Sequence, residues 1–223
     1  MIQLNSLSKT FIKDGSKIEV LRSLDFTINT GESLAILGVS GAGKSTLIHI
    51  LGTLDHPTSG SVLFDGVDVF QWDKKKLAEF RNKTIGFVFQ FHNLLPEFDS
   101  LENTMLPALI HGLPYRNARE KAATILHEVG LGDRLGHKPG ELSGGEQQRV
   151  AVARALVMEP EIILADEPTG NLDSDTGRKI EDILLDLNRT KGITLVVVTH
   201  NRSLADRMSK NIGLKDGKIY DYE

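Results

Sequence analysis

The chain has 223 residues and a formal net charge of −4, with 40% hydrophobic and 25% charged residues. This composition is that of an ordinary globular protein, so we expect one domain, with a subdomain, around a substantial core. The net charge offers no general attraction for nucleic acid, and the absence of cysteine excludes disulfides and thiolate metal sites.

The apolar stretches are all strand-sized. A run such as Leu195–Val198 is far shorter than the ~20 residues that a membrane-spanning helix needs. The first residues, Met1–Ser6, alternate apolar and polar side chains and lack the pattern of a secretion signal. We therefore expect any membrane span to be supplied by another chain.

The first part of the chain is typical of strands and turns. Apolar residues alternate strictly over Leu24–Ile28, and the apolar run Leu34–Leu37 indicates a buried strand. The pairs Asp14-Gly15 and Asp65-Gly66 mark turns, the second of them after a short strand at Ser61–Phe64. These segments predict an antiparallel sheet beside a nucleotide-binding core.

The middle and last parts alternate helices and strands. Helices are predicted for 116–129, with Gly130 as the stop, for 145–158 before Pro160, for 174–188, and from Asn201 onward. Strands are predicted for 162–165 and 194–198, with a hairpin around 212–217. Strands separated by helices predict a mostly parallel sheet that binds nucleotide at the carboxyl ends of its strands.

A phosphate-binding loop follows the strand that ends at Leu37. Its glycines let backbone N–H groups surround a phosphate, and the helix that follows contributes its positive N-terminus. Lys44 can reach the β- and γ-phosphates, and the Ser45 hydroxyl can bind Mg²⁺. The predicted nucleotide contacts are Gly38, Ser40, Gly41, Ala42, Gly43, Lys44, Ser45 and Thr46. The pattern predicts an ATP or GTP site.

Acidic and imidazole side chains follow two other predicted strands. Asp166 is placed to hold Mg²⁺, and Glu167 is a candidate base or positioner for an attacking water. Alone, the two acids could simply solvate the end of a strand. His200 should emerge at the same edge and bridge the γ-phosphate, the water and Glu167, although an isolated histidine there is more often a surface residue. Lys44, Glu167 and His200 are the candidate catalytic residues.

A second glycine-containing loop, Ser143-Gly144-Gly145, opens directly into a predicted helix. Its backbone amides and helix N-terminus could bind a second anion, or the loop could be an ordinary helix cap. One nucleotide does not need two such loops from one chain. We therefore predict a homodimer in which each Ser143 loop closes over the nucleotide on the partner's Lys44 loop.

Together these motifs resemble the ATPase subunit of ATP-binding-cassette (ABC) transporters over essentially the whole chain. The segments that carry the resemblance are 38–46 (Walker A), Gln90 (Q-loop), 142–146 (signature), Asp166-Glu167 (Walker B and catalytic glutamate), 171–173 (D-loop) and His200 (switch histidine). The resemblance implies ATP and Mg²⁺ as ligands, with Ser45, Gln90 and Asp166 around the metal and Asp173 near the nucleotide. Glu146 replaces the glutamine of many members, and Phe11 is the expected adenine-stacking residue in place of tyrosine.

The implied fold is α/β. It has a RecA-like P-loop NTPase core with a mostly parallel sheet, an N-terminal antiparallel β-subdomain and an inserted α-helical subdomain. Residues 1–89 and 161–223 would form the core with the β-subdomain, and residues 90–160 the Q-loop and the helical signature subdomain.

Within the family, the segments 89–98 and 101–103 are similar to the ATPase of bacterial lipoprotein-releasing complexes. The similarity implies a peripheral protein on the cytoplasmic face of the inner membrane, held there by transmembrane permease subunits. It implies no contact with cargo or nucleic acid. Two alternatives share most of these residues, namely an efflux ATPase of the MacB kind and a regulatory ATP switch of the FtsE kind. A soluble cassette for DNA repair or translation is disfavoured, because the chain has no second cassette and no basic excess.

Overall fold

A computed structural model describes residues 1–222, which form two β-sheets and seven α-helices. The first sheet is antiparallel, with strand order β2-β1-β4-β5. Its strands are β1 (Ile2–Lys13), β2 (Ser16–Ile28), β4 (Ser59–Phe64) and β5 (Val67–Asp68). The turn between β1 and β2 uses Asp14 and Gly15, both at positive φ. The predicted antiparallel N-terminal sheet is confirmed.

The second sheet has six strands in the order β10-β9-β3-β8-β7-β6. They are β3 (Ser33–Leu37), β6 (Ile85–Phe89), β7 (Ile162–Asp166), β8 (Thr194–Val198), β9 (Lys210–Lys215) and β10 (Lys218–Asp221). The strands β9, β3, β8, β7 and β6 run parallel to one another, and the edge strand β10 is antiparallel to its neighbour β9. In the register, Asp166 lies opposite Val198 on one side and Phe89 on the other. The residues that follow these strands therefore share one edge of the sheet.

The helices are α1 (Lys44–Leu51), α2 (Lys74–Thr84), α3 (Ser100–Ile110), α4 (Tyr115–Glu128), α5 (Gly144–Leu156), α6 (Ser174–Lys191) and α7 (Arg202–Ala205). Two predicted helix ends differ from the structure by two or more residues. Helix α5 ends at Leu156 rather than Met158. Helix α6 runs three residues further, because Gly192 in the left-handed conformation supplies its end. Helix α7 begins directly after its N-cap Asn201, in agreement with the predicted start, and has four residues.

The sequence reading missed α2, β6 and α3. Helix α2 buries only Leu77, so its apolar periodicity is weak, and its clearest local sign is the cap that Asp73 provides to the N–H of Lys76. Helix α3 contains Pro107, which argues against a helix in a sequence reading. Strand β6 was missed although its sequence, Ile85–Phe89, is a short apolar run of the kind that indicates a buried strand.

Both faces of the parallel sheet are covered, which explains the continuous apolar runs of its strands. Along β3, Leu34 and Ile36 pack in the cluster toward α1 and the antiparallel sheet, while Ala35 and Leu37 pack in the cluster toward α3–α6. The stretch 90–160, predicted to contain the Q-loop and the helical subdomain, contains α3, α4 and α5. Among residues 1–222 no helix is both long and apolar enough to cross a membrane.

Candidate functional site

The loop between β3 and α1 is shaped by two glycines. Gly43, the N-cap of α1, has φ +101°, and a Cβ there would lie 2.9 Å from the carbonyl oxygen of Val20. Gly38 has φ +154°, and its Cβ would lie 2.3 Å from the carbonyl oxygen of Leu214. Both positions therefore require glycine, on grounds of conformation and of space.

An open cavity of about 530 Å³ lies over this loop. Most of the residues predicted for the nucleotide site line it, namely Gly38, Ser40, Gly41, Gly43, Lys44, Ser45, Thr46, Gln90, Asp166, Glu167 and His200. Ala42, also predicted as a nucleotide contact, belongs to the loop, but its side chain is buried in the hydrophobic core. Val20 and Val198 line the cavity as well, and the sequence reading missed both. For Val20 no sequence signal was available, because only the folded β2 brings it under Gly43.

The Lys44 side chain is folded back into the loop. Its Nζ donates to the carbonyl oxygens of Gly38, at 2.7 Å, and Val39, at 3.0 Å. This places the ammonium charge at the centre of the loop. A phosphate entering the cavity would meet that charge together with the N-terminus of α1.

Glu167 and His200 are in direct contact, as predicted. His200 Nδ1 lies 2.8 Å from Glu167 Oε2, and the histidine side chain is 75% exposed while that of the glutamate is 19% exposed. Glu167 has φ +47°, an unfavourable conformation for glutamate, and its N–H donates to the carbonyl oxygen of Val198 at 2.9 Å. The surrounding structure thus holds a strained residue at the end of the strand, as is common at functional sites.

Gln90 is linked to the loop after β7. Its Nε2 donates to Asn171 Oδ1, and Asn171 Nδ2 donates back to the Gln90 carbonyl oxygen, both at 3.1 Å. Because the Gln90 side-chain NH₂ group already donates to Asn171, the side-chain carbonyl oxygen of Gln90 is the atom that could bind a cation. The Ser45 hydroxyl and the Asp166 carboxylate lie in the same cavity. The candidate metal ligands are therefore all oxygen atoms, which suit Mg²⁺.

The Ser143 loop is a complete capping box. Ser143 Oγ accepts from the N–H of Glu146 at 3.3 Å, and the N–H of Ser143 donates to Glu146 Oε2 at 2.8 Å. Arg134 adds an ion pair to the same carboxylate at 3.1 Å. The hydrogen bonds from Ser143, followed by the Arg134 contact, lower the pKa of Glu146 to about 2. The glutamate that departs from the family pattern thus has a structural role in this chain.

Other predicted residues lie outside the cavity. Phe11 is 41% exposed on the β1–β2 hairpin, with Lys9 Nζ 4.8 Å from its ring centroid. Ser143, Gly144 and Gly145 lie at the start of α5, where Gly145 packs closely on Thr176. Asp173 caps α6 and lines a neighbouring depression that Glu167 and His200 also border. Hydrogen bonds from Thr176 lower the pKa of Asp173.

Comparison with known proteins places this geometry in a family. Residues 21–170 match the ABC transporter family. The chain is 78% identical to the lipoprotein-releasing system ATP-binding protein LolD of Syntrophus aciditrophicus, over 98% of both chains, and 53% identical to that of Geobacter metallireducens, over 98% of this chain and 97% of the relative. A dimeric ATP-binding cassette solved in a post-hydrolysis state with ADP and phosphate superposes with a TM-score of 0.92 and 42% identity, covering 100% of this chain and 98% of that one.

The chain belongs to the ABC transporter family. It is an ATP-binding and ATP-hydrolysing subunit of that type, with the α/β fold expected from its motifs.

Proposed function

We propose that this chain is the ATPase of a lipoprotein-releasing complex at the bacterial inner membrane. The observation that carries the proposal is the 78% identity, over nearly the full length of both chains, to a protein named for that system. On this proposal two copies bind ATP between them and drive transmembrane permease subunits of the LolC and LolE kind. The chain itself is peripheral, on the cytoplasmic face, and touches no cargo.

The first step is binding of the triphosphate in the cavity over the phosphate loop. The loop amides and Lys44 meet the phosphates, and the residues that would hold Mg²⁺ are Ser45, Gln90 and Asp166. When bound, Mg²⁺ would neutralise negative charge on the phosphate oxygens. The ammonium of Lys44 is already at the loop centre, so phosphate would replace the carbonyl oxygens of Gly38 and Val39 as its partners.

Hydrolysis needs a water oriented for in-line attack on the γ-phosphate. Glu167 is the residue that we assign to accept the water's proton, and the 2.8 Å contact with His200 supports this by fixing the carboxylate. His200 is largely exposed, so it can also contact a phosphate. Lys44 would stabilise the charge that develops during transfer.

The second phosphate-binding element is proposed to come from the partner copy. Within one chain, the Ser143 loop at the start of α5 is not among the residues that line the Lys44 cavity. A twofold arrangement would place each Ser143 loop over the other copy's nucleotide, with Asp173 at the same seam. A dimeric cassette of closely similar fold supports this arrangement.

An apolar groove of about 550 Å³ supports a docking site for the permease. Its apolar residues include Leu54, Phe87, Phe89, Leu95, Leu106, Ile110 and Met158, of which Leu54, Leu95 and Ile110 are exposed large hydrophobics. Leu95, in the segment 89–98 on which the similarity to lipoprotein-releasing ATPases rests, lines this groove. Phe98, in the same segment, is only partly exposed and lies outside the lining. The groove borders the Gln90 segment, so movement there could be transmitted to the partner.

The test is reconstitution with candidate permease subunits and a lipoprotein substrate in vesicles. We expect ATP-dependent transfer of lipoprotein to a soluble carrier, and co-purification of the permease in mild detergent. Leu95→Asp should abolish transfer while the isolated chain still hydrolyses ATP. Transport of a soluble efflux substrate instead, or no movement of any cargo, would contradict lipoprotein release.

A further inference from the structure

We propose that Glu181 is a positioning residue that sets the orientation of His200 through Asn201. The inference rests on the proposed roles of Glu167 and His200. Glu181 lies on α6, and its side chain is only 6% exposed. A buried carboxylate is costly unless its oxygens are paired, so its partners indicate why it is there.

One oxygen of Glu181 binds the residue next to His200. Asn201 Nδ2 donates to Glu181 Oε1 at 2.9 Å. The other end of the same amide caps α7, because Asn201 Oδ1 accepts from the N–H groups of Ser203, at 3.0 Å, and Leu204, at 3.4 Å. Both ends of the Asn201 amide are therefore fixed.

The other oxygen of Glu181 faces Arg207, whose Nη1 lies 3.3 Å from Glu181 Oε2. Arg207 also pairs with Asp182 on α6, and Arg178 is a further cation near the carboxylate. Burial outweighs these contacts and raises the pKa of Glu181. Arg207 thus ties α6 to the end of α7, whereas only the Asn201 bond reaches the histidine segment.

The path from Glu181 to the site is short. Asn201 follows His200 directly, and its N–H donates to Thr199 Oγ1 at 3.0 Å, which closes the turn around the histidine. His200 in turn contacts Glu167 at 2.8 Å. Because α6 begins just after its cap Asp173, the same helix joins the proposed dimer seam to the His200 turn. Through the hydrogen bond between Asn201 and Glu181, α6 can hold the His200 ring in its orientation toward Glu167.

Asn201→Asp separates this role from simple folding. Aspartate is as good a helix cap as asparagine, so α7 keeps its N-terminus. Its second oxygen, however, faces the Glu181 carboxylate, and two ionised carboxylates repel each other and cannot hydrogen-bond, so the variants are compared at about pH 8.5, where protonation of the pair is disfavoured. Adding Glu181→Gln restores a donor opposite the new carboxylate. Arg207→Gln is the matched control, because it removes the ion pairs with α6 and leaves the Asn201 bond.

We expect Asn201→Asp to lower kcat about tenfold while the Kd for ATP stays within about twofold, the size of effect that one hydrogen bond supplies. The ¹⁵N resonance of His200 Nδ1 should shift at the same time. The double variant Asn201→Asp/Glu181→Gln should recover both, and Arg207→Gln should lower Tm with kcat and the resonance unchanged. His200→Ala, measured alongside, should lose turnover.

The inference is overturned if Asn201→Asp keeps wild-type kcat and the wild-type His200 resonance, or if the double variant recovers neither. Those results leave the proposed site intact as long as His200→Ala is inactive. If His200→Ala hydrolyses ATP normally, the assignment of His200 fails instead. None of these measurements depends on lipoprotein transfer, so the two proposals can fail separately.

Discussion

Two helix N-termini in this protein follow glycine-containing loops, yet they differ in what already occupies them. At α5, the Ser143 hydroxyl and the Glu146 carboxylate accept hydrogen bonds from N–H groups at the helix start. A carboxylate of the same chain therefore already occupies this N-terminus. At α1, the N-cap is Gly43, and within residues 1–222 no side chain caps it. Lys44, Asp166 and Glu167 surround this second terminus.

The difference shows that a glycine loop before a helix does not define a catalytic site. The α1 loop has exposed donors, a cation and acidic groups around one cavity, so it has the groups that bind a triphosphate within a single chain. The α5 loop has a satisfied terminus and does not line that cavity. In our account it becomes functional only when a second copy brings a nucleotide to it.

The largest expected effect comes from Glu167→Gln. It keeps the size of the side chain and removes the base, so ATP hydrolysis should fall by at least about a hundredfold while ATP still binds. Size-exclusion chromatography with ATP should then show a trapped dimer. Glu161→Gln is the matched control, because Glu161 precedes the same strand that Glu167 follows. Normal turnover in Glu167→Gln would remove this residue from the mechanism.

The next effect concerns Lys44. Lys44→Ala removes the charge at the loop centre and should weaken ATP binding about tenfold or more, with turnover falling in parallel. Titration with a fluorescent ATP analogue measures this. Lys75→Ala, an exposed lysine on α2, should bind as the wild type does. Unchanged affinity and turnover in Lys44→Ala would contradict its assignment.

A smaller effect is expected at the α5 terminus. Ser143→Ala removes the cap, which should lower stability by about 1 kcal/mol, and it should also impair ATP-driven dimerisation without changing ATP binding to the monomer. Ser143→Thr keeps the hydroxyl and should retain most of both properties. Denaturant titration and light scattering separate the two effects. Full dimerisation and turnover in Ser143→Ala would leave the serine as a cap alone.

The smallest effect is the pH dependence that Glu146 confers. Its folded pKa, about 2, lies below the ordinary value of 4.5, so the ionised carboxylate stabilises the fold above pH 4.5. That contribution is lost as the pH falls from about 4.5 toward 2. Glu146→Gln should therefore have a lower Tm than the wild type at neutral pH, and the difference should shrink across that window. A difference that is constant with pH would contradict the ion pair.

Much of the site could be predicted because its chemistry is local in sequence. The phosphate loop, Asp166-Glu167 and His200 each follow a recognisable strand, and parallel strands bring their ends to one edge. The Glu167–His200 contact follows from this rule and is observed. The capping box at Ser143 is likewise readable from Ser143 and Glu146.

The remainder depends on contacts between distant segments. Val20 enters the cavity only because β2 passes beneath Gly43, and Asn171 meets Gln90 across 81 residues of sequence. Helix α2 has too few buried residues to show periodicity. Phe11, predicted to stack on adenine, lies on an exposed hairpin, and its role stays a prediction.

The central claim is that a working site is built from two copies, and mixing two defective variants tests it most directly. Lys44→Ala lacks a functional phosphate loop, and Ser143→Arg blocks the opposing loop, so each homodimer has two defective sites. A mixed dimer has one intact site, formed by Lys44 of one copy and Ser143 of the other.

We predict that each variant alone is nearly inactive and that mixing them restores turnover well above the sum of the two. The contradicting result is a Ser143→Arg chain that stays monomeric and hydrolyses ATP at the wild-type rate, or a mixture that gains nothing.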